Sequence, residues 1–207
     1  FQEKVRKEMI EAHRLREGPV LEGDERFSWL NTSVHGVDDR FMLARITNEN
    51  WARKGNTNLS ISKNAVNLLN KAYLKNVTAR YLSGTYEGSS DGYGIYLDTE
   101  ILANGNAFAE RRNSEYVALM MALQAEHGLA PHNRKFYYDP MYRYLLPIYY
   151  DGDSDILDNY RTELLSRFLP SSIVGARYAL KAIRIIDKTK FLKKIDDLGG
   201  RISKKKL

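Results

Sequence analysis

The sequence predicts an α+β fold, on three observations. Short β-rich runs cluster on both sides of one strong amphipathic helix, and the last fifty residues read as helix after helix. The strand and helix patterns do not alternate regularly, so a doubly wound parallel sheet is excluded. A chain of 207 residues with 43% hydrophobic and 28% charged side chains can build a substantial core.

In chain order, "FQEKVRKEMIEAHRLREG" predicts a helix with Val5, Met9 and Ile10 on one face, stopped by Gly18-Pro19. "RFMLARIT", Arg40 to Thr47, predicts a strand with Met42, Ala44 and Ile46 on one side and Arg45 on the other. "NWARKGNTN" reads as a polar loop. A helix over 62–76 follows, with Ser62 as N-cap and Val66, Leu69 and Tyr73 on its face. "TARYLSGTY" and "GYGIYLDTE" read as two strands around "EGSSDG". Asn113 or Ser114 then opens a helix that buries Val117, Met120, Met121 and Leu123 and stops at Gly128. "KFYYD" and "LLPIYYD" predict a hairpin over 136–150. Three helices close the chain, capped by Asp158, by Ser171 or Ser172, and by Thr189. Residues 1–100 form a strand-containing part and residues 101–207 a helical part, expected to fold as one cooperative unit.

Composition removes several chemistries. The chain has no Cys, so disulfides, thiolate-bound zinc and a thiol nucleophile are excluded. No apolar run approaches the roughly 20 residues of a membrane-spanning helix. The reading from Phe1 is that of a fragment; a cytoplasmic setting is expected, or a surface or secreted one if a signal precedes it. Net charge is +6, with basic residues concentrated in the tail Arg201–Leu207. Such a tail binds nucleic acid or anionic lipid, or is a solvated terminus. Walker A, nucleophile-elbow, H-E-x-x-H and dinucleotide patterns are all missing from the sequence.

Chemistry concentrates in "HGLAPHN", His127 to Asn133, and "YYDGD", Tyr149 to Asp153. Phosphoryl transfer asks a protein mainly for a held divalent cation and positive charge near the phosphates. Magnesium takes hard oxygen ligands, typically one or two from protein. Asn133 and Asp151 flank the expected hairpin, so strand pairing would bring an amide carbonyl and a carboxylate together. "DGDSD" also looks like the start of a calcium loop, but Ile156 and Thr162 stand where an EF-hand requires Gly and Glu. Two plainer readings stay open: His127-Gly128 as a helix C-terminus, and the acidic run as an N-cap.

These stretches carry a resemblance. "HGLAPHN" resembles the H-G-D-L-x-P-x-N catalytic loop of small-molecule kinases, and "PIYYDGD" resembles their strand ending in a metal-binding Asp. "DGYGIYLDTE" is similar to the G-x-Y-x-L-x-E strand of the spore-coat protein H (CotH) kinase-like family, with HipA-type kinases as a neighbouring possibility. The resemblance covers roughly residues 40 to 160. It implies a protein-kinase-like fold and an ATP- and Mg2+-dependent phosphotransferase acting on a protein or small hydroxyl acceptor. Asn133 and Asp151 would hold the metal, with Asp153 as an optional second carboxylate. Arg45, Tyr96, Leu97 and Glu100 would face the nucleotide, Arg45 as the phosphate-pairing cation. Relative to the family pattern, the catalytic Asp between Gly128 and Leu129 is missing, which leaves His127 or His132 as the base. A catalytically impaired, pseudokinase-like binding module is the alternative, and a basic nucleic-acid-binding or assembly protein a further one.

Overall fold

The computed structural model describes residues 7–24, 26, 42–82, 97–152, 175–178, 180, 181, 184, 187, 189, 190 and 193. Its architecture is α+β. A four-stranded antiparallel sheet is built from β1 (Val20–Asp24), β2 (Leu43–Ile46), β3 (Lys135–Tyr138) and β4 (Leu145–Ile148), in the order β2-β1-β3-β4. Around it lie α1 (Lys7–Ala12), α2 (Glu49–Ala52), α3 (Asn56–Leu82), α4 (Thr99–Ala103), α5 (Ala107–Ala122) and a 3-10 turn, Glu126–Leu129.

The central strand β1 was not foreseen. All five of its residues are buried, so it lacks the in-out alternation that marks a half-exposed strand. Leu21 faces the main core with Phe136, Ala65, Leu69 and Tyr73, whereas Val20 packs with Ile10 and Tyr137 on the opposite face. Gly18-Pro19 does not stop α1, which ends at Ala12, with Arg14 in the left-handed region at φ 58°. Instead the pair leads into β1: Pro19 O accepts from Tyr138 N, and a Cβ on Gly18 would lie 2.7 Å from Tyr138 O. Asn48 ties this corner, accepting from Val20 N and donating to Gly18 O.

Strand β2 behaves as its pattern predicts. Met42, Ala44 and Ile46 pack on the main core, and Arg45 lies on the other face, opposite Glu22. Other boundaries differ from expectation. The stretch "NWARKGNTN" holds all of α2 but its first residue, with Trp51 buried. Helix α3 starts at Asn56 and runs to Leu82, so Ser62 is a buried mid-helix residue rather than a cap, and "TARYL" is helical. Its buried positions 62, 65, 69, 72 and 73 keep one helical stripe against the sheet. In "GYGIYLDTE", Asp98 caps α4 through Glu100 N and Ile101 N, which puts Glu100 in a helix. Residues 92–96 lie outside the described ones.

Helix α5 begins after Asn106, whose side chain accepts from Ala109 N, not at Asn113 or Ser114. Asn113 is wholly buried within it and donates to Ala109 O and Leu145 O. The helix ends at Ala122, so Gly128 is not its stop but part of the 3-10 turn. The hairpin is present as β3–β4, with Lys135 opposite Ile148 and Tyr138 opposite Leu145. Asp139 shapes its turn, accepting from Met141 N and Tyr142 N. Because β1 pairs with both β2 and β3, strands from the two expected parts share one sheet.

Most of the three expected C-terminal helices fall outside the described residues; Gly175–Tyr178 are helical, and Asp187 rather than Thr189 accepts the N–H groups of Thr189 and Lys190. Among the described residues, no helix is long and apolar enough to cross a membrane.

Candidate functional site

At the open end of the hairpin three chain segments meet: the 3-10 turn, the loop Ala130–Asn133, and the residues that leave β4. Close packing fixes their separation. A Cβ on Gly128 would lie 2.5 Å from Met120 Cε, 2.9 Å from Tyr150 O and 3.1 Å from Gly152 Cα. The glycine of "HG" and the backbone of "YDG" therefore touch, and no larger residue fits between them. The loop is pinned from behind: Tyr73 donates its hydroxyl to Pro131 O, and a Cβ on Gly23 would lie 2.5 Å from that same oxygen. Burial pushes the Tyr73 phenol above its ordinary range, so it stays a protonated donor.

Three of the predicted side chains converge here. Asn133 Nδ2 lies 2.8 Å from His127 Nε2 and 3.3 Å from His127 O. His127 Nε2 lies 3.6 Å from Asp151 Oδ2. The His132 ring stands edge-on to His127, with centroids 6.3 Å apart. Asn133 is 8% exposed, whereas His127 and Asp151 are open to solvent at 54% and 39% of their side chains. Asp151 has φ 45°, a left-handed conformation in which Asp is among the better-tolerated residues and which tends to mark constrained sites.

The expected nucleotide-facing residues do not form one group. Arg45 lies on the Glu22 face of the sheet, while Leu97 is 4% exposed in the main core beneath the other face. Glu100 is exposed in the first turn of α4. Tyr96 and Asp153 lie outside the described residues, as does the tail Arg201–Leu207. Arg111 and Arg112 are inside α5 and share Glu115.

Sequence reasoning missed the charged row beside the site. Glu22 is 8% exposed and bridges two cations on neighbouring strands: Arg45, which donates Nε at 2.7 Å and also Nη2, and Lys135 Nζ at 3.1 Å. Lys135 also stands 3.4 Å from the centre of the Tyr150 ring, which links this row to the Asp151 arm. A cleft of about 420 Å³ opens along it, lined by Glu22, Arg26, Arg45, Ile46, Thr47 and Glu49. The only advance signal was Glu22 and Asp24 in an otherwise apolar "PVLEGD". Arg134 was also missed: it is fully buried, near the rings of Tyr116 and Phe136.

The donor set suits a hard cation better than a soft one. The Asn133 amide nitrogen serves His127 Nε2 and His127 O, and its Oδ1 is the oxygen the side chain offers a cation. That oxygen and the Asp151 carboxylate match the one or two protein oxygens magnesium ordinarily takes. Among the described residues, no group of three or more His, Asp or Glu is placed to hold a metal. Compared with family models, with curated proteins and with solved structures, the chain matches none.

Proposed function

We propose that this chain is an ATP- and Mg2+-dependent phosphotransferase of the atypical kinase type, acting on a protein or small hydroxyl acceptor. The observation that carries the reading is the meeting of His127, Asn133 and Asp151 at the open end of the hairpin. Mg·ATP, when bound, supplies the transferable phosphoryl group and brings its charge partly neutralised. Asn133 Oδ1 and the Asp151 carboxylate are the oxygens that would hold the metal. Arg45 and Lys135, held by Glu22, supply positive charge from the sheet. His127 is the candidate base: its ring is half open to solvent, and its Nε2 lies 3.6 Å from Asp151 Oδ2.

A second reading has its own observation. No carboxylate stands between Gly128 and Leu129. A binding module that holds nucleotide without turnover fits that loss. The test is thermal unfolding with ATP, with and without magnesium, on the wild type and Asp151→Ala. A magnesium-dependent rise that vanishes in the variant supports the site, because a ligand at a hundredfold its Kd adds about 2.7 kcal/mol. No rise in the wild type sinks both readings. Transfer of labelled phosphate to a hydroxyl acceptor then separates enzyme from binding module.

A further inference from the structure

Arg134 follows Asn133 directly and is 0% exposed, yet none of its three guanidinium nitrogens has a hydrogen-bond partner. Two aromatic rings lie near the group. Its carbon lies 5.5 Å from the Tyr116 ring centre and 5.1 Å from that of Phe136. Two aromatic faces stabilise a cation only modestly and satisfy none of its N–H donors. Guanidinium keeps its proton in proteins, so it does not escape desolvation by becoming neutral, as a lysine or carboxylate would. The neighbouring hydroxyls are committed elsewhere: Tyr73 OH to Pro131 O, and Tyr116 OH towards Gly128 O and Ile148 O, at 3.4 and 3.5 Å. The two acids of β1 are also engaged. Glu22 is held by Arg45 and Lys135, and Asp24 by Arg26. Among the described residues, this buried fork of donors lacks a counter-charge.

We propose that Arg134 is the binding point of an oxyanion of the phosphate type, taken up at the guanidinium edge beneath the Ala130–Asn133 loop. Planar guanidinium matches the spacing of two phosphate oxygens, and a doubly charged anion answers an unneutralised cation better than chloride does. The site is closed to solvent, so uptake follows local opening and is slow. Because Tyr116 touches both Arg134 and the carbonyls of Gly128 and Ile148, the anion would stiffen the two arms that carry His127 and Asp151. This site is independent of nucleotide binding: it requires neither magnesium nor Asp151.

The experiment is thermal unfolding of the wild type, Arg134→Met and Asp151→Ala in inorganic phosphate against chloride at matched ionic strength, without magnesium. Expected is a rise of about 5 °C or more at saturating phosphate in the wild type and in Asp151→Ala. Arg134→Met should show no such rise and be at least as stable as wild type in chloride. Failure of phosphate to stabilise the wild type overturns the proposal, whatever the variant does. So does an equal rise in Arg134→Met, or a wild type insensitive to phosphate beside a strongly destabilised variant, which would place a carboxylate of the chain at the guanidinium. If Arg134→Met does not fold, equilibrium dialysis of labelled phosphate against the wild type decides: slow, saturable uptake at one site per chain supports the assignment, and its lack refutes it. Loss of Mg·ATP binding alongside a preserved phosphate response would end the nucleotide reading and leave Arg134 standing.

Discussion

Replacing Gly128 by Ala adds one methyl group at the tightest point of the candidate site. Of the three atoms it meets, Met120 Cε is the end of a flexible side chain and can swing away. Tyr150 O and Gly152 Cα are backbone, at 2.9 and 3.1 Å, and they flank Asp151. They must retreat by a few tenths of an ångström, and Asp151 moves with them. Overpacking of this kind costs about 1–3 kcal/mol. For a chain of this size each kcal/mol lowers Tm by roughly 2–4 °C, so the variant should melt about 2–12 °C below wild type. Circular dichroism melts in buffer measure that fall. Melts with Mg·ATP measure the second consequence, a ligand-induced rise smaller than in wild type because the Asp151 arm is displaced. A Gly128→Ala protein that melts within 1 °C of wild type would show that the "HG" and "YDG" backbones do not meet as described.

Other perturbations have defined outcomes. The Arg26 guanidinium beside Asp24, above all by its side-chain hydrogen bond, holds that carboxyl below its ordinary value of 3.8. The folded state therefore binds fewer protons, and this stabilisation is complete above about 3.8 and fades as pH falls through the lowered folded value. Asp24→Asn should flatten the acid limb of Tm against pH; an unchanged limb refutes the pairing. Glu22→Gln leaves Arg45 and Lys135 facing a neutral amide. Both cations keep some solvent, so the loss should be about 2 kcal/mol, below that of a fully buried pair, read as a shift in the urea midpoint. Asn113→Ala removes the donor to Leu145 O, which should cost about 1–2 kcal/mol in the same titration, partly offset because Asn113 Oδ1 has no partner to lose.

The sequence shows β2 clearly because Met42, Ala44 and Ile46 alternate with Leu43 and Arg45 and turn to the core, whereas the hairpin reads from its β-rich, aromatic runs, since Phe136, Tyr137 and Tyr138 are all buried. It hides β1, where both faces are covered and two carboxylates, Glu22 and Asp24, stand where a buried strand would be apolar. Their counter-charges come from Arg45, Lys135 and Arg26, and those from β2 and β3 are distant in sequence, which no local pattern reports. Helix ends were misplaced for a related reason. Asn56–Ile61 and Ala107–Arg112 are mostly polar or small, and their Leu59 and Phe108 are exposed, so they carry little periodicity and the helices seemed to begin at the first convincing cap, Ser62 or Asn113. Both residues are buried in mid-helix, Asn113 spending its side chain on a carbonyl of the outer strand. At the site, His127, Asn133 and Asp151 were legible as a set because a hairpin joins their neighbourhoods. Arg134 was not, since an arginine between Asn and Lys reads as solvated surface until its burial is seen.

The pairing of Val20 with Tyr137 also sets the order in which the molecule can assemble. The two residues are 117 positions apart, and β1 is the strand that joins β2 to the hairpin. During synthesis β1 and β2 are made long before β3, and until then they form a two-stranded ribbon, which is marginal in water. Helix α3 can form early and lie against β2, but half the hydrogen-bonding of β1 must wait for the hairpin. Closing so long a loop comes before any contact rewards it, which places this chain among slow, non-local folders. Refolding from denaturant should therefore show helix signal well ahead of the tertiary signal of the hairpin tyrosines. A ribosome-bound chain stopped short of Ile148 should stay sensitive to protease along β1.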